Sequence, residues 1–346
     1  MRWSELQNAY QGKTVVLTGH TGFKGTWLTL VLSELGATVH GLSLDGEDGG
    51  LFHQAGIDER CQSHIFDIRN AQKVSALMSS VKPDFVFHFA AQSLVGHGRK
   101  APVNTFSTNV MGTVNLLEAC QAVKAIVVAS SDKCYFPSKH PRHELSRLGG
   151  LDPYSASKAA LEHVVEAYRE QYFDGARIAT GRAGNVIGGG DWGEQRLIPD
   201  IIRSIVSDET LLLRHPRSCR AWQYILEPLW GYLMLGALLA SDTPEMAKAW
   251  NFGPSQVASV SAVVHAVGQA WSKMPRVRFM SSSPAETVML KLDTTQTERE
   301  LRWSTKLSWE EAVNWSVRDY QSFHSGLGAA SEHMATQISS YAQLWE

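Results

Sequence analysis

The stretch KTVVLTGHTGFKGTWLTLVLSELGATVHGLSLD, residues 13–45, decides the fold of this 346-residue chain. It starts with a short β-branched run at 13–18, and apolar residues then recur at helical spacing over 26–35 before a second strand at 37–44. The turn between strand and helix carries three glycines, Gly19, Gly22 and Gly25. Glycines at this spacing let the backbone and a helix N-terminus approach a pyrophosphate. The stretch therefore predicts a dinucleotide-binding unit.

Two acidic residues extend this prediction. Asp45 follows the second strand, about 20 residues beyond the glycine turn, where an acid accepts hydrogen bonds from ribose hydroxyls and repels a 2′-phosphate. NAD is therefore favoured over NADP. Asp67, with Ile68, falls where a third strand ends, and the sequence leaves two roles open for it: contact with adenine, or N-cap of the following helix.

The rest of the chain continues the alternation of strands and helices. Further strands are predicted at 85–89, 125–129 and 176–180, and long helices at 102–120 and 155–172. Such alternation indicates an α/β fold, a Rossmann-type doubly wound parallel sheet.

The predicted organisation has three parts. Residues 1–181 form the NAD-binding Rossmann domain with the catalytic residues. Residues 182–324 form a smaller mixed C-terminal substrate lobe, with some segments returning to the sheet, and 325–346 is a Gly/Ala/Ser-rich tail expected to be partly mobile.

Composition excludes several classes of function. The formal net charge of −2 gives no electrostatic reason to expect nucleic acid or an anionic membrane as partner. Four isolated cysteines indicate reduced thiols and no metal site, and no apolar segment of membrane-spanning length is present. A cytoplasmic protein is expected.

Two segments carry the chemistry, Ser131-Asp132-Lys133 and Tyr154-Ser-Ala-Ser-Lys158. Tyr154 and Lys158, four residues apart, share one helix face, where the ammonium can lower the pKa of the phenol. A serine at the end of a neighbouring strand can hydrogen-bond that phenol. Such a set removes a proton from a sugar or alcohol hydroxyl while a nicotinamide takes the hydride. Asp132 and Lys133 suggest that the reaction continues beyond oxidation, although a solvated pair is the alternative.

The segment after the fourth predicted strand supplies further candidates. Ala90, Ala91 and Gln92 are small or polar, as needed where a nicotinamide ribose passes the backbone. His88 is expected to be a hydrogen-bonded core histidine, and His97 a solvated loop residue.

Together these residues resemble the extended short-chain dehydrogenase/reductase family, and within it the nucleotide-sugar 4,6-dehydratases, above all those that act on CDP-glucose. The resemblance runs from about residue 12 to 254 and more weakly to 315. It is carried by GHTGFKGTWL (19–28), SHIFDIR (63–69), TNVMGTVNLLE (108–118), SSDKCY (130–135), DPYSASK (152–158), RAGNVIGGGDW (182–192), RLIPD (196–200), AWQYILEPL (221–229) and WNFGP (250–254).

The resemblance implies a set of binding residues. NAD would be held by Gly19, Thr21, Gly22, Phe23, Lys24, Gly25, Asp45, Asp67, Ile68, Ala90, Ala91, Gln92, Asn109, Tyr154 and Lys158. The nucleotide sugar would be held by Asn185, Arg196, Leu197 and Arg220, since an arginine fork suits a diphosphate.

It also implies a reaction. Tyr154, stabilised by Lys158 and Ser131, would remove the 4-hydroxyl proton during C4 oxidation. Asp132 would protonate the departing 6-hydroxyl while Lys133 or another group takes the C5 proton, or Lys133 would only stabilise the enolate. Return of the hydride to C6 would give a 4-keto-6-deoxy sugar for deoxysugar and polysaccharide biosynthesis. Helices 102–120 and 155–172 would form a four-helix homodimer interface.

Departures from the family pattern lie at 93–99, at 136–149 and at Ala221, and they indicate altered specificity. Three alternatives stay open: another nucleotide sugar, a 4-epimerase using Ser131, Tyr154 and Lys158 alone, and a catalytically silent NAD-binding protein.

Overall fold

A seven-stranded parallel sheet forms the centre of the protein. The computed structural model describes residues 1–46, 50–173, 177–241, 248–280, 289–324 and 329–346. The strand order is β11-β6-β5-β4-β1-β2-β3, and every neighbouring pair is parallel. The strands are β1 Thr14–Thr18, β2 Thr38–Ser43, β3 Gln62–Ile65, β4 Phe85–His88, β5 Ala125–Ser131, β6 Ile178–Ala183 and β11 Ala249–Phe252. The order reverses beside β1, which confirms the Rossmann-type prediction.

The helices cover both faces of this sheet. They are α1 Trp3–Tyr10, α2 Phe23–Glu34, α3 Leu51–Gln54, α4 Ala71–Val81, α5 Val95–Lys100, α6 Pro102–Phe106, α7 Gly112–Glu118, α8 Pro153–Tyr172, α9 Leu197–Ser207, α10 Leu226–Leu239, α11 Val260–Trp271, α12 Trp309–His324 and α13 Ala329–Gln343. One buried apolar cluster joins α1, α2, α10 and α13 on one face. A second joins α4, α7 and α8 on the other. Parallel strands need both faces covered because their side chains are apolar on each.

Short strands build the substrate side after residue 181. They are β7 Asn185–Ile187, β8 Thr210–Leu213, β9 Cys219–Arg220, β10 Trp222–Tyr224, β12 Ala258–Ser259, β13 Arg276–Phe279 and β14 Met289–Leu290. β11 returns to the main sheet beside β6. The division at 181 and 324 stays a prediction.

The predicted helix at 102–120 is not a continuous α-helix. A π-helical turn, Ser107–Met111, separates α6 from α7. Within this turn Asn109 is fully buried, and its side-chain nitrogen donates to the Ser157 hydroxyl. A π turn is often found where a side chain serves a site. The predicted strand at 176–180 is shifted, since β6 spans Ile178–Ala183, and residue 176 lies outside the described residues.

The expectation of a mobile tail is wrong for residues 329–343. Ala330, Met334, Ile338 and Tyr341 recur every three or four residues, and all four are buried in the main apolar cluster. This spacing gives α13 an apolar face, which the Gly/Ala/Ser content of the segment conceals.

No helix in the described ranges is both long enough and apolar enough to span a membrane. The same ranges hold no group of three or more His, Cys, Asp or Glu side chains that could ligate a metal.

Candidate active site

The glycine turn leaves room for a diphosphate at the start of α2. Gly19 has a φ of +78°, and a Cβ there would lie 2.8 Å from the Ala90 nitrogen. A Cβ on Gly25 would lie 2.0 Å from the Gly19 oxygen, so a side chain would push the turn open. Gly22 is the N-cap and carries no capping side chain, which leaves the first N–H groups of α2 available to an anion. The residues of this turn fit a dinucleotide pyrophosphate.

Thr21 joins the glycine turn to the end of β2. Its hydroxyl lies 2.8 Å from the Ser43 hydroxyl and donates to the Leu44 carbonyl at 3.1 Å. Asp45 follows directly and is exposed. Asp45 therefore lies just past the carboxyl end of β2, the strand that pairs with β1. The predicted contact with the ribose hydroxyls requires an acid at this position.

Asp67 is held by a neighbouring arginine. Its two carboxylate oxygens each accept from the Arg69 Nε at 2.9 Å, and this hydrogen bonding lowers the pKa of Asp67. The N-cap of α4 is Asn70, whose side chain accepts from the Lys73 nitrogen, so the N-cap alternative for Asp67 is wrong. Ile68 is buried, and a Cβ on Gly112 would lie 2.7 Å from its Cγ2. Adenine contact by Asp67 and Ile68 stays a prediction.

The end of β4 is organised by buried hydroxyls. The Thr18 hydroxyl accepts from the Phe89 and Ala90 nitrogens at 3.1 and 3.0 Å. His88 lies between the hydroxyls of Thr18 and Thr113, at 2.7 and 2.9 Å, and burial lowers its pKa to about 3. His88 is therefore a neutral, satisfied core histidine, as predicted.

Asn109 connects β4 to the catalytic helix. Its amide oxygen accepts from the Gln92 nitrogen at 2.8 Å. Its amide nitrogen donates to the Gln92 carbonyl at 3.0 Å and to the Ser157 hydroxyl at 2.8 Å. Ser157 directly precedes Lys158 on α8. Asn109 therefore positions both sides of the site, a role that the sequence did not reveal, while its contact with cofactor stays a prediction.

The structure brings the predicted catalytic residues together at the end of β5. Ser131 is the last residue of β5, and Asp132 and Lys133 continue into a 3₁₀ turn. The Ser131 hydroxyl donates to the Asp132 carboxylate at 3.1 Å and accepts from the Lys133 nitrogen at 3.2 Å. Tyr154, near the start of α8, is only 8% exposed, and the nearby Ser131 hydroxyl lowers the pKa of its phenol.

Several groups act on the phenol of Tyr154. Burial raises the pKa of Tyr154 to about 12, the Ser131 hydroxyl lowers it, the Asp132 charge raises it and the Arg196 charge lowers it. Lys158 donates to the Ala129 carbonyl at 3.0 Å, and burial lowers its own pKa to about 8. Arg196 is therefore a cation near the phenol that the sequence did not indicate, and the effect of Lys158 on the phenol stays a prediction.

Two further lysines lie near the catalytic carboxylate. Lys133 is half-buried in the 3₁₀ turn, and its role as base stays a prediction. Lys24, the second residue of α2, has its pKa lowered to about 8 by burial and by the charges of Arg196 and Lys158, against an opposing effect of Asp132. Lys24 therefore lies close enough to Lys158 and Asp132 for their charges to change its pKa. Motif spacing alone did not indicate this proximity.

The predicted substrate residues line the other side. Asn185 opens β7, and its buried side-chain nitrogen has no partner within the described ranges, so it can donate to a ligand. Arg196 precedes α9 and donates to Asp191 at 2.7 Å and to the Ser93 hydroxyl at 3.0 Å. Leu197 is the first residue of α9. Arg220 is buried on β9 and donates to the Cys219 carbonyl at 2.9 Å.

The departure at 93–99 is part of this site. A Cβ on Gly98 would lie 3.3 Å from the Tyr154 nitrogen, so α5 packs closely on the start of α8. His97 is exposed as expected, but it lies on the short helix α5 rather than in a loop.

The loop at 136–149 packs on a buried ion pair. Arg182 and Glu162 are bonded at 2.7 Å and are both almost fully buried. Arg182 also donates to the Tyr135 hydroxyl at 2.8 Å and to the Glu144 carbonyl at 2.7 Å. Arg182 thus holds the start and the middle of this loop beside β6.

The fold and this site define a Rossmann-type enzyme that uses a nicotinamide dinucleotide. The model of the NAD dependent epimerase/dehydratase family matches residues 15–253, and the chain belongs to this family. Its cofactor is NAD, as predicted.

Known proteins agree with this assignment. A CDP-glucose 4,6-dehydratase from Salmonella typhimurium is 39% identical over 336 residues, which is 92% of this chain and 94% of that protein. A UDP-glucose 4-epimerase of Thermotoga maritima shares the fold with a TM-score of 0.79 at 20% identity, covering 89% of this chain and 98% of that one. A dTDP-glucose 4,6-dehydratase of Bacillus anthracis, solved with NAD, has a TM-score of 0.76 at 19% identity, covering 90% of this chain and 97% of that one.

Proposed function

We propose that this protein is a hydro-lyase that converts CDP-glucose to its 4-keto-6-deoxy derivative. The observation that carries the proposal is the Asp132 carboxylate, which is 7% exposed and bonded to Ser131 beside Tyr154. A 4-epimerase, which inverts C4, does not need an acid beside the tyrosine. A 4,6-dehydratase needs one, because the departing 6-hydroxyl must be protonated. The likeness to the Salmonella dehydratase supports the same reaction and the cytidine nucleotide.

Each proton in the reaction has a proposed carrier. Tyr154 takes the proton of the 4-hydroxyl, and the Ser131 hydroxyl turns from Asp132 to donate to the phenolate. The turn of Gly19, Gly22 and Gly25 would hold NAD, which would supply hydride acceptance at C4 and hydride return to C6. Lys133 takes the C5 proton and gives it back to C5 when the hydride adds to C6, and Asp132 gives its proton to the 6-hydroxyl, which leaves as water. The balance is the loss of one water with no net oxidation. Each proton transfer contributes about two to four orders of magnitude when its group is well placed.

The nucleotide and diphosphate are proposed to lie against the substrate side. The unpartnered amide of Asn185 and the forked guanidinium of Arg196 offer donors to the diphosphate. Leu197 and Arg220 complete the proposed substrate contacts.

We also propose that the protein is a homodimer. Val103, Phe106 and Met111 are 79%, 38% and 52% exposed beside α8, and with Pro102, Val110 and Ala160 they line an apolar groove of about 460 Å³. Exposed apolar surface of this kind marks interfaces, and a second copy of α6–α7 and α8 would cover it as a four-helix bundle.

The cysteines at 61, 120, 134 and 219 are free thiols, which supports a cytoplasmic location. We place its product in deoxysugar and polysaccharide biosynthesis.

The proposal is tested by offering the NAD-loaded enzyme CDP-, dTDP-, GDP- and UDP-hexoses and recording product masses. We expect CDP-glucose to lose one water and the other nucleotides to react more slowly. A product of unchanged mass and inverted C4 would indicate a 4-epimerase, and unchanged substrates would indicate a silent NAD-binding protein.

A further inference from the structure

The last helix of the chain is bonded to a buried carboxylate. Asp319, on α12, has no exposed surface. One of its oxygens accepts from the His333 ring at 2.9 Å and from the Gln337 side-chain amide at 3.1 Å. His333 and Gln337 lie four residues apart on α13, so they face the same way.

The same carboxylate holds the loop between β7 and α9. Its second oxygen accepts from the Gly189 nitrogen at 2.9 Å and from the Tyr224 hydroxyl at 3.0 Å. The fit is tight, because a Cβ on Gly189 would lie 2.2 Å from the Asp319 Cβ. Asp319 is therefore one acceptor shared by α13, β10 and this loop.

The loop leads directly to the substrate side of the site. Tyr320, next to Asp319, donates to the Asp191 carbonyl at 2.5 Å. The Asp191 carboxylate accepts from the Gly193 nitrogen at 3.1 Å and from Arg196 at 2.7 Å. A displacement of residues 189–191 would therefore move the guanidinium that reaches toward Ser93 and Tyr154.

We propose that α13 is a positioning element of the substrate site: through Asp319, His333 and Gln337 hold residues 189–191 and so place Arg196 for the diphosphate of the nucleotide sugar. The proposal rests on the proposed function for the identity of the ligand. The family model matches residues 15–253, so this element lies outside the segment that the model describes. The glycine turn has its own bond to the segment of β2, since the Gly19 nitrogen donates to the Leu42 carbonyl at 2.7 Å. The loop also contacts α2, because the Trp27 indole donates to the Gly189 carbonyl at 3.0 Å, so the proposal predicts the larger effect, not the whole effect, on the nucleotide-sugar side.

The test compares Gln337→Ala with Thr336→Ala in the full-length, NAD-loaded enzyme. Gln337 donates to Asp319, whereas Thr336 is exposed and its hydroxyl bonds only within α13, to the Glu332 carbonyl. Asp319→Asn is avoided as the main variant because it alters every bond at once and threatens folding.

We expect Gln337→Ala to raise the KM for CDP-glucose roughly tenfold with kcat within about twofold, the size expected for loss of one bond to a buried charge. Hydrogen exchange should rise more in the peptide 185–196 than in 13–25. Thr336→Ala should match the native enzyme in each readout.

Two results overturn the proposal: equal exchange of 185–196 in both variants, or loss of kcat and NAD affinity together with a KM that does not change. The exchange readout needs no substrate. If the native enzyme ignores CDP-glucose while exchange still responds to Gln337→Ala, the proposed function fails and the link from α13 to the loop stands.

Discussion

Removal of the Ser131 hydroxyl is predicted to move the pH profile of the enzyme. Ionised Tyr154 is the active form, and with a pKa of about 12 only about three phenols in 100,000 are ionised at pH 7.5. The Ser131 hydroxyl lowers that pKa. A hydrogen bond to a charged group is worth about 1.5–3 kcal/mol, which corresponds to roughly one to two pH units.

Ser131→Ala should therefore lower kcat about 10- to 100-fold at pH 7.5. The rising limb of its pH–rate profile should lie about one to two pH units higher than that of the native enzyme. The positive charge of the bound nicotinamide shifts the profiles of the native enzyme and of Ser131→Ala equally. The predicted quantity is therefore the separation between the two profiles. The assay is the initial rate of 4-keto sugar formation from pH 6 to 10 in the NAD-loaded enzyme.

Ser130→Ala is the matched control, because Ser130 is a buried serine on the same strand and is not among the groups that act on the phenol. Its rising limb should coincide with the native one. A Ser131→Ala enzyme that keeps the native rate at every pH from 6 to 10 would contradict this prediction, since the hydroxyl would then have no effect on the ionisation of Tyr154.

Four other outcomes are expected. Tyr154→Phe should abolish 4-keto sugar formation; residual turnover above about one part in 1,000 would remove the phenol as base. Asp132→Asn should slow elimination, so that a 4-keto hexose retaining its 6-hydroxyl accumulates in single-turnover mass spectra, and unchanged turnover would contradict the acid role. Glu162→Gln leaves Arg182 buried without its partner and should lower the free energy of unfolding by about 3–5 kcal/mol in urea titrations; a loss below about 1 kcal/mol would show the pair to be dispensable. Val103→Arg places a charge on the exposed apolar groove and should give a monomer by light scattering, whereas an unchanged dimer would locate the interface elsewhere.

Local patterns predicted the part of the fold that local physics determines. The β1–turn–α2–β2 unit follows from short-range periodicity and from three glycines whose positions admit no Cβ or leave the helix N-terminus open. The predicted catalytic residues Ser131, Asp132 and Tyr154 also lie together, as a strand end and a helix start, and their catalytic roles stay a prediction.

Contacts between distant parts of the chain were not predictable in this way. Arg196 affects the phenol because Asp191 and Ser93 hold its guanidinium from two sides of the site. Asn109 is buried because it is hydrogen-bonded to Gln92 and Ser157, and helical periodicity does not indicate such bonds. The residues of α13 are mostly small and polar, so a composition that suggests mobility concealed a helix packed on the core.

The fate of the C4 hydrogen distinguishes dehydration from epimerisation. CDP-glucose labelled with deuterium at C4 is converted by the enzyme, and the product is read by NMR and mass spectrometry. We expect deuterium to reach C6 of a 4-keto-6-deoxy sugar within the same molecule. Deuterium returned to C4 of a hexose that keeps its 6-hydroxyl would contradict this prediction.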